Sequence, residues 1–322
     1  MKLLALVLTL GCALNAATNS WIPITGVVVD PVNQSLRPIQ GLPGASLLGP
    51  ALNLPFAVNR AVVLGKNVAI AIDATDSGQA WLVTGLLSGD IAANPLQGAI
   101  AGTDRIATND AGSVAVLYSK SNSQLQFVSG LPGSASVSDP ISLAGIPGTV
   151  GAIAVSDDGG WALIGVSDSD SGSGAVYRVG PATNNQLLTL TTLGDPRAIV
   201  LKSGQDAVIA DYASDQVFLV RDVIGAQERT PLVDGSGGVS GPIALLILPD
   251  QSMLIANAGS QTIGRVDPVT MQMSTIPMNG VPDRFEKLLQ PGVYALNQPG
   301  GAPLLLLDAS SDLNVVFVPQ ER

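Results

Sequence analysis

The chain contains no histidine, and that absence removes a wide range of chemistry at once. Ser-His-Asp catalysis, imidazole-held zinc or copper, c-type haem attachment and histidine acid–base work all need the ring. Motifs that serve other reactions are missing as well: there is no S-x-x-K and no G-x-S-x-G, and no G-x-G-x-x-G or G-x-x-x-x-G-K phosphate loop. Carboxylates remain. The densest acidic places are Asp157-Asp158 and Asp168-Ser169-Asp170, and oxygen ligands of this kind could hold calcium. The second lacks the central Gly and later Glu of an EF-hand loop, and the first falls where every repeat has a polar turn, so solvated turns are the preferred reading and calcium the alternative. Glutamate occurs only at Glu228, Glu286 and Glu321, too far apart in sequence to nominate a glycosidase pair. No residue is nominated as catalytic, cofactor-binding or metal-ligating.

Among the larger side chains, Trp81 and Trp161 fall on strands and read as core, with a sugar-stacking platform as the sharper alternative. Met253, Met271, Met273 and Met278 cluster in one repeat; Met271 and Met273 have the alternate spacing of a strand, which suits gap-filling better than copper capture. The charge-dense run Asp283-Arg284-Phe285-Glu286-Lys287 interrupts a connection and is expected to be a short solvated helix, or else a rim contact for a partner.

The elements that must position these residues are short strands. With 36 Gly and 22 Pro spread along 322 residues, tight turns fit better than long helices. Six copies of one pattern recur about 46 residues apart: a strand, a polar turn, a strongly apolar second strand, a third strand and a weaker fourth. The second strands are expected at 68–72, 114–118, 161–165, 207–211, 253–257 and 304–308, and the third at 80–83, 125–128, 175–179, 217–220, 263–266 and 315–318. Their near-continuous apolar character marks strands covered on both faces. An N-terminal stretch, Val29-Asp30-Pro31-Val32, repeats as Val266-Asp267-Pro268-Val269, which makes it a third and fourth strand without a first. The last repeat has the opposite defect, so an N-terminal strand is expected to complete the last blade and close a ring of six four-stranded blades; seven blades follow if the terminal pieces stay separate. Gly41-Leu42-Pro43-Gly44, Gly130-Leu131-Pro132-Gly133 and Gly145-Ile146-Pro147-Gly148 are expected to be type II turns between blades.

Met1-Lys2, the apolar run 3–10 and the small residues up to Ala17 have the grammar of a secretory signal, which leaves residues 18–322 as one mature domain. The run is too short for a membrane span. Cys12, the only cysteine, lies inside this signal, so the mature domain is expected to have no disulfide; Leu10-Gly11-Cys12 read as a lipoprotein site is the alternative. A periplasmic, cell-surface or secreted location follows. A net charge of −10 with 15 scattered basic residues argues against nucleic acid as a partner and against electrostatic attachment to lipid.

At these repeats, particularly Ala152-Ile153-Ala154-Val155-Ser156-Asp157-Asp158-Gly159, the chain resembles the NHL, YVTN and lactonase-like β-propeller superfamily of secreted bacterial proteins. The resemblance implies four-stranded blades around a central channel, with ligands taken at one mouth. Enzymatic members carry channel-facing acids and commonly histidines or metal ligands; with no histidine here, no catalytic residue carries over. The expected function is a non-catalytic binding module, used as a monomer, that recognises a protein, a glycan or a small ligand at one mouth. The alternatives are a calcium-dependent hydrolase or lactonase using channel Asp residues, and a structural module that associates with copies of itself.

Overall fold

The computed structural model describes residues 22–65, 67–75, 77–202, 205–300, 302–310 and 312–319. The expected export signal, with Cys12 and Trp21, lies outside them. The described residues form antiparallel sheets and two 3-10 turns, with no α-helix among them. Seven sheets follow one another along the chain as blades 1 (24–48), 2 (58–95), 3 (105–142), 4 (149–193), 5 (196–233), 6 (242–277) and 7 (286–318).

The apolar second strands explain why the sheets stack. Alternate side chains of a strand point to opposite faces, and here both faces are apolar. In blade 5, Ala207 and Ile209 face blade 4, whereas Val208 and Ala210 face blade 6. Seven apolar clusters result, each shared by two successive sheets, and the one containing Val28, Ile39, Val293 and Leu306 joins the first sheet to the last. The ring therefore closes by packing.

This corrects the expected count of six. The N-terminal stretch keeps its own three-stranded sheet, ordered from Ile24–Asp30 through Ser35–Leu42 to Ala45–Leu48, and blade 7 has four strands of its own. Two features of the sequence hide the seventh blade. The Asp-Pro-Val match reflects a turn and not a strand position: Asp30 Oδ1 accepts from the backbone N–H groups of Val32 and Asn33, and Asp267 Oδ1 likewise from Val269 and Thr270. The strand ending at Asp30 corresponds instead to the second strands that end at Asp73, Asp211 and Asn257 in blades 2, 5 and 6. At the other end, Glu286–Lys287 is a strand and not a helix; it adds an inner strand to blade 7, so 304–308 and 315–318 become its third and fourth strands.

The turns are also redistributed. Only Gly145–Gly148 of the three Gly-Pro motifs lies between blades; the others sit within blades 1 and 3. Gly44 and Gly148 take the positive φ expected of a type II turn, but Gly133 does not, and Leu131-Pro132 is cis. Met271 stands in a turn, with Met273 alone on the strand. Trp161 is buried between blades 4 and 5, and Trp81 stacks on Phe56 with ring centroids 4.7 Å apart.

A polar residue at the end of a second strand ties the mouth together. Asp211, 3% exposed, accepts from the N–H groups of Gly194 and Asp195 at 3.1 and 2.6 Å and from Ser214 Oγ at 2.8 Å. In blade 6, Asn257 Oδ1 does the same for Ser240 N–H. Removing the acceptor leaves part-buried donors without their partner, at a cost of up to about 1–3 kcal/mol. Asp211→Ala should therefore lower stability to urea by about that amount, while Asp211→Asn, which copies blade 6, should retain most of it. Blade 4 approaches blade 5 closely at Gly174, where a Cβ would lie 2.6 Å from Val166 O, 2.8 Å from Gly194 O and 2.8 Å from Pro196 Cδ. Strand propensity favours Val over Gly by less than about 1 kcal/mol, whereas forced repacking costs about 1–3 kcal/mol. Gly174→Val should lower the melting temperature; an unchanged or raised value would contradict this packing.

Candidate functional site

A cavity of about 360 Å³ lies where the inner strands of blades 2 to 7 converge. Its walls come from Val58–Gly65, Arg105–Thr108, Thr149–Val155, Pro196–Lys202, Pro242–Ile247 and the segment around Glu286–Lys287. Going round the ring, the residues near the start of these strands are Arg60, Arg105, Gly151, Arg197, Ile243 and Arg284. Four are arginines.

Local backbone irregularity aims two of them, Arg60 and Arg197. The pairing of the first strand with the second skips one residue between Val58 and Arg60, Val150 and Ala152, Pro196 and Ala198, and Pro242 and Ala244. Such bulges bend a strand and re-aim a side chain; Arg197 is itself a bulged residue, and Arg60 follows one.

Each guanidinium is held differently. Arg105 Nη1 donates to the carbonyl of Gly151 at 3.1 Å. Glycine suits position 151, where a Cβ would lie 3.0 Å from Pro196 O, a tight approach to backbone. The Arg105 side chain reaches water in the cavity yet is ringed by protein: burial first, then Arg60, holds it below the ordinary arginine value, Asp104 and Tyr118 oppose, and Arg197 adds to the lowering. Arginine remains a cation under any such shift. Arg197 Nε donates to Asp195 Oδ2 at 2.7 Å, and its guanidinium lies over the Tyr212 ring, 5.0 Å from the centroid. Arg284 Nε donates to Asp283 Oδ1 at 2.6 Å, and its Nη1 stands 3.8 Å from Glu286 Oε2. The Arg60 guanidinium makes no hydrogen bond or ion pair among the described residues.

Glu286 is the one strongly perturbed group among the described residues. Burial pushes its carboxyl up to about 7; Arg284 opposes the rise and Asp283 reinforces it. Its side chain keeps 20% exposure, as expected for a group lining an open cavity. The wall therefore has two characters: guanidinium groups on blades 2, 3 and 5, and the carboxyl groups of Asp283 and Glu286 beside Arg284 at blade 7. Guanidinium forks facing a common space suit carboxylate or phosphate oxygens.

The acidic places conspicuous in the sequence lie elsewhere. Asp158 Oδ1 accepts from Ser156 Oγ and Gly160 N–H, and Asp168 from Asp170 N–H and Ser171 Oγ. Those bonds lower both carboxyls, led by Ser156 and Ser171 respectively. Neither borders the cavity, and among the described residues no three His, Cys, Asp or Glu side chains come together as a metal cluster. The arginines are inconspicuous in the sequence because they form no run. Their signal is periodic: in a chain with only 15 basic residues, Arg60, Arg105, Arg197 and Arg284 all fall at or just before the inner strand of a repeat.

No family model matches the chain, and no curated protein matches it by sequence. Solved structures do match in shape. A protein from Lactobacillus plantarum superposes with a TM-score of 0.64 at 14% identity, covering 92% of this chain and 96% of that one. A functionally unknown protein from Desulfotomaculum acetoxidans gives 0.62 at 12%, over 93% and 100%. The periplasmic gluconolactonase of Pseudomonas aeruginosa gives 0.61 at 15%, over 92% and 95%. What the chain shares with these proteins, at identities this low, is its fold, a β-propeller, here of seven blades.

Proposed function

We propose that this propeller is a binding module whose channel mouth takes a small anionic ligand, a carboxylate or phosphate ester, and that it works outside the cytoplasm. The observation that carries the first part is the convergence of Arg60, Arg105 and Arg197 on one cavity. Each keeps N–H donors that no group among the described residues uses, because a guanidinium has five and Arg105 spends one on Gly151 and Arg197 one on Asp195. Ligand size is limited by a cavity at the small end of the usual range. The extracytoplasmic setting rests on the signal-like residues 1–17.

A second reading is supported by Glu286. A carboxyl poised near 7 beside a cation can act as a general base toward water, and arginines could stabilise the oxyanion of an ester or lactone. The gluconolactonase among the structural neighbours makes lactones the first substrates to test.

Titration calorimetry of the purified domain with short carboxylates and phosphate esters should show binding that weakens with added salt. Arg105→Gln or Arg60→Gln should weaken it at least about tenfold, the loss of roughly one charge-assisted contact. The same titrations with added calcium test the metal alternative. Binding indifferent to both arginines would remove the proposal.

pH separates the two readings. Glu286 is neutral below about 7 and anionic above it, so monoanion affinity should rise as pH falls through that value. Hydrolysis with Glu286 as base requires the ionised carboxyl, so its rate should instead rise with pH through about 7, and Glu286→Gln should abolish it. Hydrolysis of a lactone panel with that profile would establish the enzyme.

A further inference from the structure

We infer that the channel is built for a zwitterion, a small molecule carrying an anionic group at one end and an ammonium at the other. The inference rests on the anion-binding reading and names its ligand class. Its basis is the uneven distribution of charge round the wall. Blades 2, 3 and 5 present Arg60, Arg105 and Arg197, whereas blade 7 presents Asp283, Arg284 and Glu286.

The partners of these groups decide what each side can still accept. Asp283 is engaged with Arg284 Nε. Glu286 is different: its carboxyl receives no hydrogen bond among the described residues, and its nearest cation, Arg284 Nη1, stands 3.8 Å from Oε2, beyond hydrogen-bond length. Its side chain is 20% exposed, so its hydrogen bonds are left to water or to a ligand group that enters the cavity. Around the ring the other lining residues offer no ammonium. Ile243 and Leu245 of blade 6 and Phe285 of blade 7 are apolar, and they separate Glu286 from Arg197 on the blade 5 side. A purely anionic ligand would satisfy the arginines and leave Glu286 as it is, or be repelled by it. A ligand ammonium placed at Glu286 would satisfy both ends, and the apolar residues between would suit a short methylene spacer.

The charged and titratable groups that face Glu286 bear on how it responds to pH. They are Arg284 and Asp283 on its own segment, with Arg60, Arg105 and Arg197 lining the same cavity; Tyr294 pairs with Lys287 and lies on the other face of the sheet. A bound anion favours the neutral carboxyl and a bound cation the ionised one, so the two ligand classes shift Glu286 in opposite directions. An ammonium favours the ionised carboxyl, and binding should then expel the proton that Glu286 holds at neutral pH.

Calorimetry with a chain-length series tests this: β-alanine, γ-aminobutyrate and ε-aminocaproate against propionate, butyrate, caproate and succinate. At least one amino acid of the series should bind about tenfold more tightly than its matched monocarboxylate. Its affinity should rise as pH increases through about 7, opposite to the trend for the monocarboxylate. Its binding enthalpy near neutral pH should vary with the ionisation enthalpy of the buffer, as proton release requires. Glu286→Gln should bring the amino acid down to the affinity of the matched monocarboxylate in that variant, and the buffer test on the unaltered protein covers the case in which the variant fails to fold. Monocarboxylates or succinate binding as tightly as every amino acid, in an Arg105-dependent manner, would overturn the zwitterion and leave the anion site standing. No arginine-dependent binding by any probe would overturn both.

Discussion

Every sheet in this molecule is one layer thick and apolar on both faces, and neither face can be covered from within its own blade. That constraint shapes the rest. Leu163 and Ile164 are adjacent on one strand, both fully buried, yet they belong to different clusters on opposite sides of blade 4. Burying a side chain of this size is worth about 1.5–3 kcal/mol, so a blade without a neighbour on each side would lose that stabilisation along a whole row. A closed ring is the arrangement in which no sheet is left at an end. Here the last contact is made by side chains of blades 7 and 1, supplemented by one backbone hydrogen bond from Gln290 N–H to Thr25 O.

Ring closure also determines where function can sit. A strand in the middle of a blade has both edges paired and both faces buried, so it can present nothing to a ligand. The inner strands differ, because one edge faces the axis and is free of pairing. There a skipped residue costs only one ladder contact, and the bulges at Gly151, Arg197 and Ile243 occur on those strands. Blade 1 lacks such a strand: its innermost, Ile24–Asp30, is buried throughout all but its first residue, and it contributes nothing to the cavity wall. Seven blades thus build a site with six contributors.

The fold was legible in the sequence where periodicity in apolar residues reported packing directly, as in 68–72, 207–211 and 253–257. It misled at both ends of the chain, where a turn motif mimicked a strand position at Asp30 and where Glu286–Lys287, too short for any alternation to show, joined a sheet through backbone bonds alone. The site was less legible. Asp157-Asp158 and Asp168-Ser169-Asp170 drew attention because charges adjacent in sequence are conspicuous, but in a propeller adjacent residues lie in the same turn. Groups that meet at the axis come from corresponding strands of different repeats. Arg60 and Arg197 have two whole blades between them in sequence and share one cavity, and no motif confined to a few residues can express that.

The chain as a whole is acidic, and the cavity shows how cations can be gathered in such a protein without an excessive cost. Guanidinium groups brought together repel, most of all where water is scarce. The neighbouring sequence offsets this: Asp195 and Asp283 each take the Nε of the nearby arginine, and Asp104 acts favourably on Arg105. Engagement through Nε fixes the side chain while leaving the terminal nitrogens of Arg197 available. Arg60 is the exception. The residue before it is Asn59 where the others have a carboxylate close by, and its guanidinium has no partner among the described residues. Its charge has no carboxylate beside it among the described residues, and it adds to the lowering of Arg105. An anion entering the mouth would relieve that repulsion as well as gain its own contacts, so the attraction is largest where the free protein is least neutralised.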